Sequence, residues 1–571
     1  MTTGRSGKVK LDRAARMQAC AHALSSGSRV ARSQCQPAAG AISSKGSVVV
    51  EERATERAQL EAQMSTCATS ALAVDGVTPI AKARYPSLFQ INARVWLTDL
   101  ARRFGRRVTL DDIPDEELDR LADWGFDWIW LLSVWQTGPA GRRVSRSNPE
   151  WRAEFLDTLP DLQEDDIAGS GFAIAGYTVE PMLGGPAALA RLRTRLQRRG
   201  RRLMLDFVPN HMALDHPWVE SHPEYFIAGT DADLQREPRN YTRVRSAGGQ
   251  RILAYGRDPF FSGWPDTLQL DYSNPETQRA MRDELMRIAG QCDGLRCDMA
   301  MLVLPDIFER TWGRRSEPFW SRVIPQVRDK VPGFCFMAEV YWDREWAMQQ
   351  EGFDYAYDKT LYDRVRERHA RPVREHLHAG LDYQDKLARF LENHDEPRAA
   401  TSFSRDVHEA AALITYLSPG LRFFHQGQLE GRRKRISPHL VRAPQELRDE
   451  ELQRFYDRLL SVLRFGTVRN GQWQLLECVP AWEGNWTHDG FLAFAWNGAD
   501  AARLLVVVNY APNQGQCYVR LPFGELSGRA VRLDDPMTGA HYERSGSDVV
   551  SRGLYVDLPP WGSHVFGVRS S

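Results

Sequence analysis

Cysteine is scarce: there are 8 in 571 residues, with no CxxC pair. That excludes a disulfide scaffold and a zinc ribbon. An excess of either charge is missing too, because Lys+Arg 74 balance Asp+Glu 74. A protein that grips a phosphate backbone needs a basic surface, so nucleic acid is not an expected partner. No apolar run reaches the ~18 residues of a membrane helix, and mean hydropathy is −0.47. No membrane partner is expected, and the composition points to a soluble, cytoplasmic protein. What is present is ordinary for a globular chain, with 42% hydrophobic and 26% charged residues. The 17 Trp are the one bias; aromatic faces suit sugars, but they also fill cores. At roughly 100–200 residues per domain, the length allows three or four domains, or one large barrel with attachments.

Residues 1–82 are rich in Ala, Ser, Gly and Arg and hold no long apolar period. Such composition cannot bury enough surface to offset the entropy of ordering, so a disordered N-terminal extension is predicted. Its best apolar run, Ala21–Leu24, is too short for a secretory signal. The Arg-rich, acid-poor start leaves an organelle transit peptide as the alternative. A short surface helix is predicted at 51–64, and Cys20, Cys35 and Cys67 are given no role.

From residue 83 the texture changes. Eight short runs rich in β-branched, aliphatic and aromatic residues lie within Tyr85–Leu97, Trp128–Trp135, Arg202–Val208, Gly294–Asp298, Phe334–Val340, Phe353–Tyr357, Leu387–Asn393 and Leu421–His425. Amphipathic helices are predicted between several of them, at Glu116–Trp124, Pro186–Arg198 and Pro275–Ile288. Strands alternating with helices imply parallel pairing with both faces covered. The fold class expected is α/β, a (β/α)8 TIM barrel over 83–470 with an insertion at about 212–271. A doubly wound sheet is the alternative. After 470 the runs alternate and are punctuated by Gly, Pro, Asn and Asp, so 471–571 reads as an all-β sandwich domain.

Barrel enzymes place reactive groups at the C-terminal ends of their strands. Those ends carry Asp206, Asn210 and His211, then Arg296 and Asp298, then Glu339, then Glu392, Asn393, His394, Asp395 and Arg398. Three carboxylates on three strands, with two His and an Arg, would converge in one pocket. Retaining glycosidases need such a set: one carboxylate attacks the anomeric carbon, and another serves first as acid and then as base. Arg296 and Asp298 are two apart, so on a strand both side chains point the same way. A guanidinium beside a carboxyl favours its ionised form. Glu339 precedes Val340, Tyr341 and Trp342, the apolar company that keeps an acid protonated. Taken singly, each feature also has a structural reading: Arg–Asp as an ion pair, AsnHisAsp as a turn, and Asp206 as a buried partner of Arg296.

These segments resemble the α-amylase family of glycoside hydrolases. AspPheValProAsnHis (206–211), GlyLeuArgCysAsp (294–298), AlaGlu (338–339) and GluAsnHisAsp (392–395) look like its four signature segments, in family order. The likeness covers about 84–568. It implies Asp298 as nucleophile, Glu339 as acid/base and Asp395 as transition-state stabiliser. It implies Arg296 orienting Asp298, and His211 and His394 binding the sugar. Phe172 falls where the family usually stacks a Tyr beneath that sugar, and Asp206 is counted with the substrate-binding set.

Departures stand beside the likeness. Met301 and Leu302 occupy positions where many starch-cleaving members carry Lys-His, and Gln269 stands where an Asp is often found. The metal ligands therefore stay unassigned. No cofactor is expected, and a structural calcium through Asn210 is the disfavoured alternative. AspHisProTrpValGluSerHisProGluTyrPhe (215–226) looks like a segment of the family's bacterial maltosyltransferases. The expected function is a retaining α-glycosidase acting on α-linked glucosides or short glucans. The alternatives are a glucan or maltosyl transferase of the same fold, whose acceptor side would be dry and apolar near Met299 and Met301, and a non-catalytic carbohydrate-binding barrel.

Overall fold

The structure is a computed structural model that describes residues 83–499 and 502–570. The extension predicted at 1–82, with its short helix and three cysteines, lies outside the described residues. Eight strands are parallel: β1 (Ser87–Asn92), β2 (Trp128–Leu132), β3 (Arg202–Phe207), β4 (Gly294–Cys297), β5 (Cys335–Ala338), β6 (Tyr355–Tyr357), β7 (Leu387–Arg389) and β8 (Leu421–His425). Each pairs with the next, and β8 closes on β1 through Ser87–Arg422 and Gln90–His425. The strands are buried on both faces, as a helix-covered parallel sheet requires. The closed barrel excludes the doubly wound alternative.

The apolar runs overstate several strands, and each excess has a cause. The first strand stops at Asn92, whose side chain accepts from Arg94 N (3.1 Å) and Val95 N (3.3 Å) and caps the helix Ala93–Phe104. Val95, Trp96 and Leu97 are therefore buried helix, which an apolar run alone cannot distinguish from strand. The second strand ends at Leu132, because Ser133 adopts φ 64°. Trp135–Thr137 then leaves the barrel to pair with Ile174–Val179.

Two edge strands, His211–Ala213 and Thr267–Gln269, pair antiparallel and bracket the excursion after β3. Within it lies the hairpin Tyr241–Ser246 with Gly249–Ala254. Downstream, a six-stranded sheet contains Gln472–Leu476, Phe491–Asn497, Arg503–Asn509, Ala530–Asp534, His541–Ser545 and Ser563–Ser570. It packs on a three-stranded sheet of Cys478–Pro480, Gly515–Val519 and Leu554–Leu558 through Phe491, Leu505, Val507, Cys517 and Val556. His541–Ser545 escapes a hydrophobicity reading because nearly all of it is exposed. The sandwich is tied to the barrel where Trp496 Nε1 donates to Leu417 O (2.7 Å) and Tyr510 Oη to Val365 O (2.7 Å). No helix among the described residues is long and apolar enough to cross a membrane.

Candidate active site

One guanidinium organises the mouth. Arg296, near the end of β4, has no exposed side-chain surface. Its Nη1 lies 2.7 Å from Asp298 Oδ1 and 3.5 Å from Asp206 Oδ1, and its Nη2 lies 2.7 Å from Glu339 Oε2. The register places Arg296 opposite Asp206 on β3 and Met337 on β5. Asp206 itself, and Glu339 two residues past Met337, therefore lie on the face that Arg296 occupies. Backbone bonds continue past the strand ends, from Asp298 N to Phe207 O (2.8 Å) and from Glu339 N to Cys297 O (3.0 Å). Trp130, Phe172 and Tyr357 lie around the cation at 5.3, 5.1 and 5.9 Å.

Glu339 is the carboxyl held between Arg296 and Tyr341. Burial raises it most, Arg296 opposes, and Asp298 and Asp395 push it further, to about 7. Its Oε2 accepts from Met299 N (2.7 Å) and its Oε1 from Tyr341 Oη (2.8 Å). Met299 reaches this position only in a left-handed conformation, φ 41°, which a long side chain seldom adopts. Asp206 also rises to about 7, chiefly through burial, with Arg296 opposing and Asp298 adding. The structure thus makes it both a buried partner of Arg296 and a member of the cluster.

The loop after β7 supplies His394 and Asp395. Asn393 Oδ1 accepts from Asp395 N and Glu396 N, each at 2.9 Å, so AsnHisAsp is a turn that holds His394 and Asp395 at the mouth. Gln90 Nε2, on β1, donates to His394 Nδ1 (2.8 Å). That bond leaves the ring proton on Nε2, 3.1 Å from Asp395 Oδ2. Burial lowers His394 to about 4, so the ring is neutral near pH 7. Phe172 is half-buried, with its ring 5.2 Å from His394. Its loop is held by Arg94, whose Nη1 donates to Gly169 O (3.0 Å) and Nη2 to Thr137 Oγ1 (2.7 Å).

Other residues fall elsewhere. His211 is buried on the first strand of the excursion, 5.2 Å from Trp264. Glu392 is locked to Arg398 (2.5 Å) and His425 (3.1 Å) and accepts from Ala399 N, so it and Arg398 brace the loop. Met301 is fully buried and Leu302 nearly so in the turn Ala300–Val303. Trp320 Nε1 donates to Ala300 O (2.9 Å) and the turn packs into the core, so Met301 offers no exposed apolar surface to an acceptor. Gln90, Arg94 and Tyr357 were not singled out from sequence. A polar residue inside an apolar strand was the available signal for Gln90.

Gln269 bears on the metal. It is fully buried, and its Oε1 accepts from Arg257 N (3.4 Å), which fixes the amide orientation. Its Nε2 donates to Asn210 O (3.0 Å), Asn210 Oδ1 (3.0 Å) and Leu270 O (3.1 Å). An NH2 group pointed into these oxygens does what a hard cation would do, and its positive hydrogens repel one. The residues at this position do not fit a calcium ion.

A closed parallel barrel with carboxylates gathered at the C-terminal ends of its strands is the layout of a TIM-barrel enzyme. The family model "Alpha amylase, catalytic domain" matches residues 110–458, and the chain belongs to the alpha-amylase family. It is 26% identical over 329 residues to the alpha-amylase MalA of Haloarcula japonica, a match that covers 54% of this chain and 44% of the relative. It is 26% identical over 267 residues to an alpha-1,4-glucan:maltose-1-phosphate maltosyltransferase of Burkholderia pseudomallei, covering 45% of this chain and 19% of that one. The chain thus spans less than half the length of these two relatives. The crystal structure of the noncanonic maltogenic alpha-amylase AmyB from Thermotoga neapolitana superimposes with TM-score 0.61 at 17% identity, over 86% of this chain and 99% of that one. That likeness speaks to the fold.

Proposed function

We propose that this chain is a retaining α-glycosidase acting on α-linked glucosides or short α-glucans. The observation that carries the reading is the single guanidinium in contact with both Asp298 and Glu339. Two carboxyls within one fork's reach suit the short separation of a double displacement, about 5–5.5 Å, rather than the wider gap that holds a water in inverting enzymes. Asp298 attacks the anomeric carbon while Glu339 gives its proton to the leaving oxygen. Glu339, now ionised, takes a proton from water, and the attack of that water on the sugar ester releases the product. Asp395 and the Nε2–H of His394 restrain sugar hydroxyls, His211 contributes from the excursion, and the Phe172 ring stacks on the sugar. The non-catalytic reading is disfavoured because all three carboxylates are present.

The experiment is incubation with maltooligosaccharides, sucrose, trehalose and α-glucosyl fluoride, with Asp298→Asn as the blank. Shorter sugars formed by the wild type alone support hydrolysis. Longer ones support transfer, the reading favoured by the similarity to a maltosyltransferase. No turnover of any donor, the activated fluoride included, overturns the hydrolase reading and leaves a binding protein or a transferase with a narrow donor such as a sugar phosphate.

We further propose that the fold holds no structural calcium at Asn210. Dialysis against EDTA is then expected to shift the melting temperature by less than about 1 °C and to leave turnover unchanged. A drop of several degrees, restored by calcium alone, contradicts the assignment. Gln269→Asp would instead leave a buried carboxylate among oxygens and destabilise the fold by about 1–3 kcal/mol.

A further inference from the structure

Glu339 has two oxygens in different company. Oε2 is held by Met299 N–H (2.7 Å) and lies 2.7 Å from the Arg296 guanidinium. Neither neighbour can accept a proton. A transferable proton therefore sits on Oε1, and the polar neighbour of Oε1 is the Tyr341 hydroxyl at 2.8 Å. Tyr341 is 8% exposed, two residues after Glu339. Trp342 (φ 63°) and Asp343 (φ 56°) follow it in left-handed conformations. The charged and titratable groups facing this pair are Arg296 on β4 and Asp298 just after it, Tyr357 from β6, and Asp395 and Glu396 from the loop after β7.

We propose that Tyr341 is a positioning residue: its hydroxyl steers Oε1 toward the glycosidic oxygen and stabilises the carboxylate left when the proton has gone to the leaving sugar. The proposal rests on the reading of Glu339 as the acid/base. A hydroxyl that donates to an ionised carboxyl favours that form, so it counters the burial that favours the neutral one. Without it the acid is weaker, and leaving groups that need a full proton suffer most.

The test compares kcat/KM of the wild type and Tyr341→Phe on maltotriose, whose sugar leaving group needs a proton, and on α-maltosyl fluoride, whose fluoride does not. In the wild type, maltotriose turnover declines above about pH 7, as Glu339 ionises. In Tyr341→Phe that decline is expected about one pH unit higher, with kcat/KM at pH 6 roughly tenfold lower on maltotriose and within about twofold on the fluoride. The Phe ring keeps the packing, and an unchanged melting temperature confirms it. Equal losses on both donors, or an unmoved alkaline limb, overturn the proposal. Glu339→Gln separates that outcome from failure of the underlying reading. If it cleaves maltotriose as fast as the wild type, Glu339 is not the acid and both readings fall; if the wild type turns over neither donor, the hydrolase reading falls and the proposal with it.

Discussion

Asp298→Asn loses turnover of α-glucans by roughly ten-thousand-fold or more, the scale on which single members of a covalent machinery act. The amide is nearly isosteric and can still face Arg296. It cannot form an ester with the sugar, so the first half of a double displacement has no route. The variant also carries a second signature. Asp298 is one of the groups that push Glu339 up to about 7. Neutralising it lowers Glu339, an effect readable by carbon NMR of labelled glutamate without any turnover. Activity retained within tenfold, with that resonance titrating as in the wild type, would contradict the assignment.

Arg296→Met is the second large effect, on stability as much as on activity. The guanidinium is fully buried against Asp298, Glu339 and Asp206. Removing one partner of a buried charge set costs about 3–5 kcal/mol, because the remaining charges lose their compensation. The loss depends on pH. Arg296 holds Glu339 and Asp206 down, and each still stands near 7. Without it both rise further, while their unfolded values stay near 4. A folded carboxyl that binds its proton more tightly than the unfolded one loses stability as pH rises. Below about 7 both acids are largely protonated in wild type and variant alike. The stability gap between the two proteins therefore widens above about pH 7. Urea unfolding at pH 6 and pH 8.5 measures it, and a gap that narrows at the higher pH would contradict the charge arrangement.

The barrel was legible because parallel strands leave continuous apolar runs with a carboxylate or amide at the end. The run Leu421–His425 matches β8 residue for residue. Boundaries failed where the signal was conformational rather than apolar. Asn92 ends β1 by capping a helix, and Ser133 ends β2 through a left-handed turn. The sandwich was legible in its buried strands but not in His541–Ser545, which buries almost nothing. At the mouth, strand spacing placed Asp298, Glu339, Arg296, His394 and Asp206 together. It could not show that one guanidinium spans three carboxylates, because that depends on the register between β3, β4 and β5. Nor could it show that Met301 turns inward or that Gln90 sets the His394 tautomer. Those follow from packing across strands far apart in sequence.

The most direct test of the account is to trap the covalent intermediate. The protein is incubated with 5-fluoro-α-glucosyl fluoride, digested with pepsin and mapped by mass spectrometry. The account predicts one fluoroglucosyl adduct, on the peptide holding Asp298 and located to that carboxyl by fragmentation, and none in Asp298→Asn. An adduct on Glu339, Asp395 or Asp206, or turnover of the reagent with no adduct at any time point, would contradict it.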